Sequence, residues 1–392
     1  MKILFIAEDM QTNGATTALV PLMKILSDVG YDVSLFLFRQ YGPWMDQIDP
    51  RVHLLPEVLA YKVSRMSRYE GVTLALKRWR WLLAVRRALA AIGARFHLKV
   101  DKYSILKSAP AVPGMYDLVI GFTVGCSWWM ALEKVDAKYR IAWVDNDLKS
   151  IAGEWSRFMR PERFDALVFE SLGCRDEFKA QYPALAKRAF TVHNTVDDVR
   201  VRRMAAEAAD AYPKRKFRLV TVGRLTYQKG TDLIPEVAAA LKDFDFEWLV
   251  VGEGIDREAL ETRCRELEVA DRVVFTGLLT NPYGVMSSAD LYVQLSRYEG
   301  WGTTLAEALV LRRYAVATDI PQFKEQIPDE TVGLICRSED VGDMAATIRR
   351  SRERLIGAET ATPSRESICS PNNVRNEIEM VFNFVKELEP CI

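Results

Sequence analysis

Short apolar runs alternate along the first half of the chain with segments whose apolar residues recur at helical spacing. The runs fall at residues 2–7, 31–38, 117–122, 140–144 and 166–170. Because they are nearly continuous in apolar character, they are typical of strands buried on both faces of a parallel sheet. A helical pattern over 15–29, between the first two runs, fits such a sheet, since helices cover its faces.

The same alternation starts again beyond a polar, alanine-rich stretch between Asp198 and Pro213. Apolar runs at 217–222, 247–251, 272–275, 291–295 and 314–318 are separated by helical patterns near 232–242, 256–268 and 304–311. Two successive series of strand–helix–strand units predict an α/β protein with two doubly wound, Rossmann-like domains. We expect the first domain over 1–198 and the second over 199–371.

The end of the chain carries an apolar stripe of its own. The residues that form it are Ile378, Val381, Phe382, Val385 and Leu388. Their spacing predicts an amphipathic C-terminal helix within 372–392. Since the stripe has to be covered, we expect this helix to cross back and pack on the first domain.

Composition narrows the classes of protein that fit. The 392 residues are 49% hydrophobic and 27% charged, as in globular proteins. Their 53 basic and 53 acidic residues balance, which argues against a nucleic-acid partner, although the basic excess lies in the first half. No apolar run is long enough to span a membrane, and the amino terminus is predicted to be a strand rather than a signal peptide. Isolated cysteines and distant histidines predict reduced thiols in the cytoplasm and no local metal site.

The loop after strand 217–222 carries two cations between two glycines, namely Gly223, Arg224, Lys229 and Gly230. A helix follows, whose free N–H groups and positive dipole end favour an anion. Arginine and lysine both bind phosphate, and the pattern therefore predicts an anion site at this turn. A plain loop with two solvated cations explains the same residues equally well.

The loop after strand 291–295 carries a carboxylate where the strand ends. Glu299 is followed by Gly300 and Gly302, whose lack of a side chain lets backbone N–H groups approach a ligand closely. Thr304 and Glu307 have the spacing of a capping box, in which both side chains bind the first N–H groups of a helix. From spacing alone, Glu307 is therefore interpreted as a cap rather than as a ligand contact.

Two further patterns have chemical interpretations. Asp145 and Asp147 flank one residue at the end of strand 140–144, where they could hold a divalent metal beside a nucleotide diphosphate or cap the next element. Gly14, after the first strand, is a lone glycine, and a complete G-x-G-x-x-G fingerprint is missing from the sequence. A dinucleotide-dependent dehydrogenase is therefore disfavoured.

Three segments of the second half, taken in order, resemble a known family. They read GRLTYQKGTDLIPEVAAAL at 223–241, VVGEGIDREALE at 250–261 and SADLYVQLSRYEGWGTTLAEAL at 288–309. The chain resembles the retaining glycosyltransferases of family 4, whose GT-B fold has two facing Rossmann-like domains. The third segment is similar to the two-glutamate motif of that family, with seven residues between Glu299 and Glu307.

The resemblance implies a role for each of these loops. Arg224 and Lys229 would hold the diphosphate of a nucleotide-sugar donor. Glu299 would contact the donor sugar, whereas Glu307 would accept hydrogen bonds from the ribose instead of capping a helix. The other donor-binding positions that it implies are Gly14, Ala15, Gly223, Gly300, Trp301, Gly302, Thr303 and Thr304. Because cations replace a metal at the diphosphate, the resemblance implies no metal and no cofactor besides the donor.

The implied reaction moves a sugar, with retention of its anomeric configuration, from a UDP- or GDP-sugar to a hydroxyl of a glycan or lipid-linked acceptor. Many such enzymes rest on a membrane, and segment 62–107 holds 12 basic and 2 acidic residues interleaved with Trp and Leu. This segment predicts peripheral contact with an anionic membrane, at its inner, cytoplasmic face. The alternative is a solvated amphipathic helix whose Trp and Leu side chains face the core.

One departure from the family keeps other functions open. The family commonly has a histidine near the donor sugar where this chain has Asp145. An anion there could stabilise positive charge on the sugar, which makes Asp145 a fourth catalytic candidate, or it could repel the diphosphate. The alternatives are therefore a degenerate nucleotide-sugar-binding protein and, with the same fold, a nucleotide-sugar epimerase or hydrolase.

Overall fold

The structure is a computed structural model of the 392-residue chain. It describes residues 1–11, 14–78, 81–85, 88, 104–107, 109–148, 160–208, 212, 216–357 and 369–388. Much of the basic segment 62–107 lies outside these ranges. Residues 209–211 and 213, which belong to the polar stretch between Asp198 and Pro213, also lie outside them.

The described residues form two parallel sheets with helices between the strands. The strands are β1 Lys2–Ala7, β2 Asp32–Leu37, β3 His53–Leu54, β4 Met115–Gly121, β5 Asp136–Val144, β6 Ala166–Phe169, β7 Ala189–Thr191, β8 Phe217–Val222, β9 Phe246–Val251, β10 Val273–Gly277, β11 Leu291–Gln294, β12 Tyr314–Thr318 and β13 Gly333–Cys336. The α-helices are α1 Gly14–Asp28, α2 Leu59–Arg65, α3 Arg68–Lys77, α4 Ser104–Lys107, α5 Cys126–Glu133, α6 Leu172–Gln181, α7 Asp198–Glu207, α8 Ile234–Ala240, α9 Arg257–Glu266, α10 Tyr283–Ser287, α11 Thr303–Val310, α12 Pro321–Gln326, α13 Val341–Gly357 and α14 Pro371–Glu387. Short 3-10 turns include Tyr227–Lys229 and Thr231–Leu233.

The chain divides into two compact units. Unit 1 comprises Met1–Phe169, Phe178–Phe190 and Glu377–Ile392, and unit 2 comprises Glu170–Glu177 and Thr191–Asn376. Each unit contains one sheet, which confirms the predicted pair of Rossmann-like domains. The predicted division at residue 198 lies a few residues beyond Thr191, where the chain enters unit 2 for the second time.

The sheet of unit 1 has the strand order β3-β2-β1-β4-β5-β6-β7. Strand β1 pairs in parallel with β2 on one side and with β4 on the other, so the winding reverses between β1 and β4. Its residues from Ile3 to Ala7 are buried, because helices cover both faces of a parallel sheet. Ligands of doubly wound sheets lie beyond the carboxyl ends of strands at such a reversal, where the predicted residue Gly14 follows β1.

The sheet of unit 2 has the order β10-β9-β8-β11-β12-β13, with the reversal between β8 and β11. Two separate apolar clusters form its core, one containing Trp248 and Val293 and the other Val220 and Tyr292. Successive residues of a strand belong to one cluster and then to the other, because their side chains point to opposite faces of the sheet. The loops after β8 and β11, which carry the predicted anion-binding residues, therefore start from neighbouring strands.

The C-terminal helix α14 buries four of the five residues of its predicted apolar stripe, and the fifth, Leu388, is half-buried just after the helix ends. Ile378, Val381, Phe382 and Val385 are fully buried, and the Phe382 ring meets the Tyr31 ring edge-on at 5.7 Å between centroids. The helix begins in unit 2 and continues in unit 1 from Glu377. The predicted return of this helix to the first domain is confirmed.

Replacing Phe382 by Ala should lower the free energy of unfolding by about 3–5 kcal/mol, because it leaves a cavity at a fully buried aromatic side chain. Met380→Ala is the matched control on the same helix, since 61% of Met380 is exposed. Urea unfolding of both variants measures the difference. Equal losses for the two variants would contradict the packing of α14.

Candidate functional site

The loop after β8 brings two cations to the strand reversal of unit 2. Arg224 is exposed, and its Nη2 lies 3.2 Å from Gln228 Oε1. Lys229 ends the turn Tyr227–Lys229, and Gly230 follows in a left-handed conformation with φ +63°. A Cβ at Gly230 would lie 1.9 Å from the carbonyl oxygen of Leu295, so only glycine lets this loop approach the end of β11 so closely.

Arg297 locks the two loops together. Its guanidinium forms a bidentate ion pair with Asp232, with nitrogen–oxygen distances of 2.5 and 2.8 Å, and also binds Glu339. It donates to the Tyr227 carbonyl at 2.7 Å and lies 3.8 Å from the centroid of the Tyr227 ring. The sequence interpretation assigned no role to Arg297, because its partner Asp232 is distant along the chain. In the sequence, only its position close to Glu299 and after a buried strand indicated that Arg297 could belong to the site.

Lys229 and Glu299 form an ion pair across the two loops. Lys229 Nζ lies 2.6 Å from Oε1 and 2.8 Å from Oε2 of Glu299, and both side chains are largely buried. Such a pair is strong only where it is well aligned and shielded from water, and here both carboxylate oxygens are engaged. The structure thus brings together two of the predicted catalytic residues.

A chain of buried polar side chains supports Glu299 from the strand side. Ser296 Oγ donates to Glu299 Oε1 at 2.7 Å, and Gln294 Nε2 donates to Ser296 Oγ at 2.9 Å. The hydroxyls of Tyr292 and Thr304 both donate to Gln294 Oε1, at 2.8 and 3.2 Å. Tyr292, Gln294 and Ser296 share a face of β11 and its extension because strand side chains alternate. This alternation of polar residues in an apolar strand was a signal that the sequence interpretation did not use.

Helix α11 begins at Thr303, directly after the glycine-rich part of the loop. The residue before it, Gly302, has φ +90° and makes no side-chain cap, and a Cβ there would lie 2.5 Å from Phe323 Cε1. Thr304 is already inside the helix and donates to Gln294. The capping-box interpretation of Thr304 and Glu307 is therefore wrong, and the first N–H groups of the helix have no partner within it.

Glu307 lies in the buried part of α11. Its Oε1 accepts a hydrogen bond from the Tyr283 hydroxyl at 2.9 Å. Burial raises the pKa of Glu307 to about 7, against the opposing effects of the Tyr283 hydrogen bond and of the Arg200 charge. Burial and the neighbouring Glu307 charge also raise the pKa of Tyr283. Glu307 is therefore a carboxyl group that changes its charge near neutral pH.

The remaining loop residues surround the start of α11. Gly223 and Gly300 are half-buried, whereas Trp301 is buried with its indole ring 4.9 Å from the His193 ring. The Trp301 carbonyl accepts a hydrogen bond from Gln326 Nε2 at 2.7 Å, which fixes the backbone of the loop. The predicted donor-binding positions of the second domain therefore lie together in unit 2.

The predicted residues of the first domain lie in unit 1. Gly14 is exposed at the start of α1, and Ala15 follows it half-buried. Asp145 follows β5, and its Oδ1 accepts a hydrogen bond from the Val124 N–H at 3.2 Å. Within the described ranges, the structure has no group of three or more His, Cys, Asp or Glu side chains that could hold a metal ion, and Asp147 joins no such group.

Comparison with known proteins assigns a class to this arrangement. Residues 205–353, which contain both loops, match the model of the family "Glycosyl transferases group 1". The chain is 28% identical to an alpha-D-kanosaminyltransferase of Streptomyces kanamyceticus over 72% of its own length and 75% of the relative's. The chain is a glycosyltransferase. The region that matches the group 1 model contains the Lys229–Glu299 pair and Glu307.

Two further similarities agree with the class and the fold. The chain is 24% identical to an N-acetylgalactosamine-N,N'-diacetylbacillosaminyl-diphospho-undecaprenol 4-alpha-N-acetylgalactosaminyltransferase of Campylobacter jejuni, over 52% of this chain and about half (55%) of the relative. Its fold is similar to that of S. aureus TarM, solved with alpha-GlcNAc-glycerol and UDP, at a TM-score of 0.66 and 14% identity, covering 97% and 99% of the two chains.

Replacing Glu307 by Gln should stabilise the ligand-free glycosyltransferase at high pH but not at low pH. The folded protein holds the Glu307 proton more tightly than the unfolded chain, where the pKa is 4.5, so this contribution is lost as pH rises through 7. We expect the variant to gain up to about 3 kcal/mol at pH 8 and little at pH 4.5. Urea unfolding at both pH values measures it, and an equal effect at the two would contradict the buried carboxyl.

Proposed function

We propose that this glycosyltransferase moves a hexosyl group from a UDP- or GDP-sugar to a hydroxyl of a glycan or lipid-linked acceptor, with retention of the anomeric configuration. The observation that carries the proposal is the Lys229–Glu299 ion pair at the strand reversal of unit 2. The relatives support it, because two of their names specify an alpha-linked sugar and one names a diphospho-undecaprenol acceptor.

The diphosphate of the donor would bind to Arg224 and Lys229. Arg224 is exposed and can turn its guanidinium to a phosphate in a two-bond geometry. The charge of Lys229 is matched by Glu299, so the diphosphate would replace this carboxylate as the partner of the ammonium group. Glu299 would keep its hydrogen bond from Ser296, and its oxygens, no longer paired with Lys229, could accept hydrogen bonds from the donor sugar.

The nucleoside would be held deeper in the same domain. Glu307 has one carboxylate oxygen bound to Tyr283 and can accept hydrogen bonds from the ribose hydroxyls. The backbone N–H groups at the start of α11, from Trp301 to Thr304, favour an anion through the helix dipole. In unit 1, the start of α1 at Gly14 and Ala15 offers backbone N–H groups of the same kind.

The chemical step breaks the bond between the anomeric carbon and the phosphate oxygen and forms one to the acceptor oxygen. We propose that attack occurs on the face that the phosphate leaves, with the acceptor proton passing to the departing phosphate oxygen. Positive charge then grows on the sugar and negative charge on the diphosphate, which Arg224 and Lys229 stabilise without a metal. An alpha-linked donor would give an alpha-linked product by this route.

Asp145 is the residue that favours a second candidate function. In unit 1 its carboxylate accepts a hydrogen bond from the Val124 N–H, which fixes a negative charge after β5. If that charge faced the donor, it would either stabilise the cationic sugar or repel the diphosphate. The second outcome would make the chain a protein that binds nucleotide-sugars without transferring them.

The part of segment 62–107 that the structure describes supports a peripheral membrane surface. Val63, Ala75, Leu83 and Ala84 form a small buried cluster. The outward side chains are apolar too, with exposed fractions of 54% for Leu76, 63% for Trp81, 65% for Leu82 and 48% for Val85. The exposure of these side chains supports the membrane surface over the alternative in which Trp and Leu face the core, which describes Leu83. The described helices include none long and apolar enough to cross a membrane, and we propose contact at the inner, cytoplasmic face.

Replacing Arg224 and Lys229 together by Gln should lower kcat by at least roughly 100-fold, because one electrostatic donor to a leaving group contributes about 3–4 kcal/mol. Transfer from UDP- or GDP-hexoses to lipid-linked and glycan acceptors is the measurement. Lys242→Gln is the control, since Lys242 forms only a long, exposed pair with Glu268.

Two outcomes of this assay would decide against the proposal. Undiminished transfer by the double variant would exclude the role of the cations. No transfer by the wild type, with activity gained by Asp145→His and unchanged nucleotide binding, would make the natural chain a binding protein. Interconversion of the donor hexose without acceptor would instead indicate an epimerase.

Sedimentation with anionic vesicles tests the membrane surface. The wild type should sediment at low salt and be released by added salt, because charge attraction to the leaflet is screened. Trp81→Ser with Leu82→Ser should reduce binding about tenfold or more, through the lost apolar contact. Leu278→Ser, at a residue of unit 2 that is 78% exposed, is the control. Equal loss with the control, or none with either, would contradict the proposal.

A further inference from the structure

The interaction between Tyr283 and Glu307 gives the proposed nucleotide site a further component. Tyr283 begins the short helix α10 and is buried, with its hydroxyl aimed at Glu307 Oε1. Neither spacing nor the resemblance assigned a role to this tyrosine. Any role of Tyr283 in ligand binding rests on the proposed function of Glu307 at the ribose.

A hydrogen bond from its backbone N–H group holds Tyr283 in place. Asn281 Oδ1 accepts a hydrogen bond from the Tyr283 N–H at 3.1 Å. The other end of the same amide, Asn281 Nδ2, donates to the Met204 carbonyl on α7 at 2.8 Å. The tyrosine is thereby tied to α7 as well as to α11, which leaves its ring little freedom to turn away from Glu307.

Helix α7 also supplies a positive charge that acts on both residues. Asp197 caps the helix by accepting a hydrogen bond from the Arg200 N–H at 2.9 Å, which places Arg200 in the first turn. The Arg200 charge favours the ionised forms of both Tyr283 and Glu307 and so lowers the pKa of each against burial. Charged or titratable groups that act on Glu307, or that its charge acts on, are Tyr283 on α10, Arg200 on α7 and Tyr292 on β11.

A ribose diol presents two hydroxyl donors, and an ionised carboxylate can accept from both at once. A protonated carboxyl has one oxygen occupied by its own hydrogen and is the weaker acceptor. Because Glu307 lies in a buried environment, a hydrogen bond to its charged form is worth more than one at the surface. The Tyr283 hydroxyl supplies that bond and also sets the direction in which the free oxygen points.

We propose that Tyr283 is a positioning residue that keeps Glu307 ionised and oriented for the ribose diol, and that it thereby determines the preference for ribonucleotide over deoxyribonucleotide donors near neutral pH. Arg200 assists through its charge, and Asn281 holds the tyrosine in place.

Titration calorimetry with UDP, GDP and their 2′-deoxy analogues tests this, between pH 6 and pH 9, on the full chain. The wild type should bind its ribonucleotide more tightly than the deoxy analogue, with affinity falling below about pH 7 as Glu307 is protonated. Tyr283→Phe should bind the ribonucleotide about tenfold more weakly at pH 7 and recover as pH rises, because one hydrogen bond to a charged group is lost. The pH midpoint of affinity should rise by about one unit.

Two controls separate this role from a structural one. Tyr314→Phe removes a tyrosine hydroxyl that donates to the Glu330 carbonyl at 3.0 Å, away from the proposed site, and should leave binding unchanged. In a Glu307→Gln background, where no carboxyl remains to titrate, Tyr283→Phe should add little further loss. Urea unfolding at pH 6 checks that the Tyr283 variant is folded.

The outcomes are distinguishable. If the wild type binds a ribonucleotide but Tyr283→Phe leaves its pH profile and its preference over the deoxy analogue unchanged, the role of Tyr283 is excluded and the proposed function stands. If Tyr283→Phe weakens binding in the Glu307→Gln background as much as it does in the wild type, the role of Tyr283 is also excluded. Failure of the wild type to bind any of the four nucleotides would overturn the proposed function and this inference with it.

Discussion

The contact between the loops that come after β8 and β11 is the interaction on which the rest of unit 2 depends. These strands are neighbours although they are not consecutive in the chain, so their loops meet where the sheet reverses its winding. Gly230 permits the close approach, and Arg297 closes it with a buried guanidinium. The Lys229–Glu299 pair is a consequence of this geometry, since neither residue alone could remain buried and charged.

Glu299 and Glu307, the two glutamates of the motif, are both buried but differ in how their charge is compensated. Glu299 has a cation and a serine hydroxyl as partners, which compensate its charge. Glu307 has the Tyr283 hydroxyl as a hydrogen-bond partner and the charge of Arg200, and its pKa rises because these compensate its desolvation only in part. The loop after β11 thus carries Glu299, whose charge is matched by Lys229. After seven intervening residues, α11 carries Glu307, whose charge depends on pH near neutrality.

The fold was predictable because strand patterns in parallel sheets are local. Strands β1, β8 and β12 have the predicted bounds, and α14 buries four of the five residues of the predicted stripe. The strands that escaped prediction are short, and β3 has only two exposed residues. In the site, strand ends located Arg224, Lys229 and Glu299, but the partners Arg297 and Tyr283 depend on contacts between distant segments. The capping interpretation of Glu307 failed because the helix starts at Thr303, one residue before the Thr304 that was expected to cap it.

The Lys229–Glu299 pair also bears on which anions can bind at the two loops. Because the ammonium charge is already satisfied, Arg224 is the one of the two loop cations that presents uncompensated positive charge at the strand reversal. Abundant small monoanions would have to displace a well-held carboxylate to gain a second cation. A ligand that brings its own hydroxyls to occupy the displaced Glu299 avoids that cost. The ion pair would therefore disfavour a lone inorganic anion at Lys229, relative to a ligand whose hydroxyls also bind Glu299.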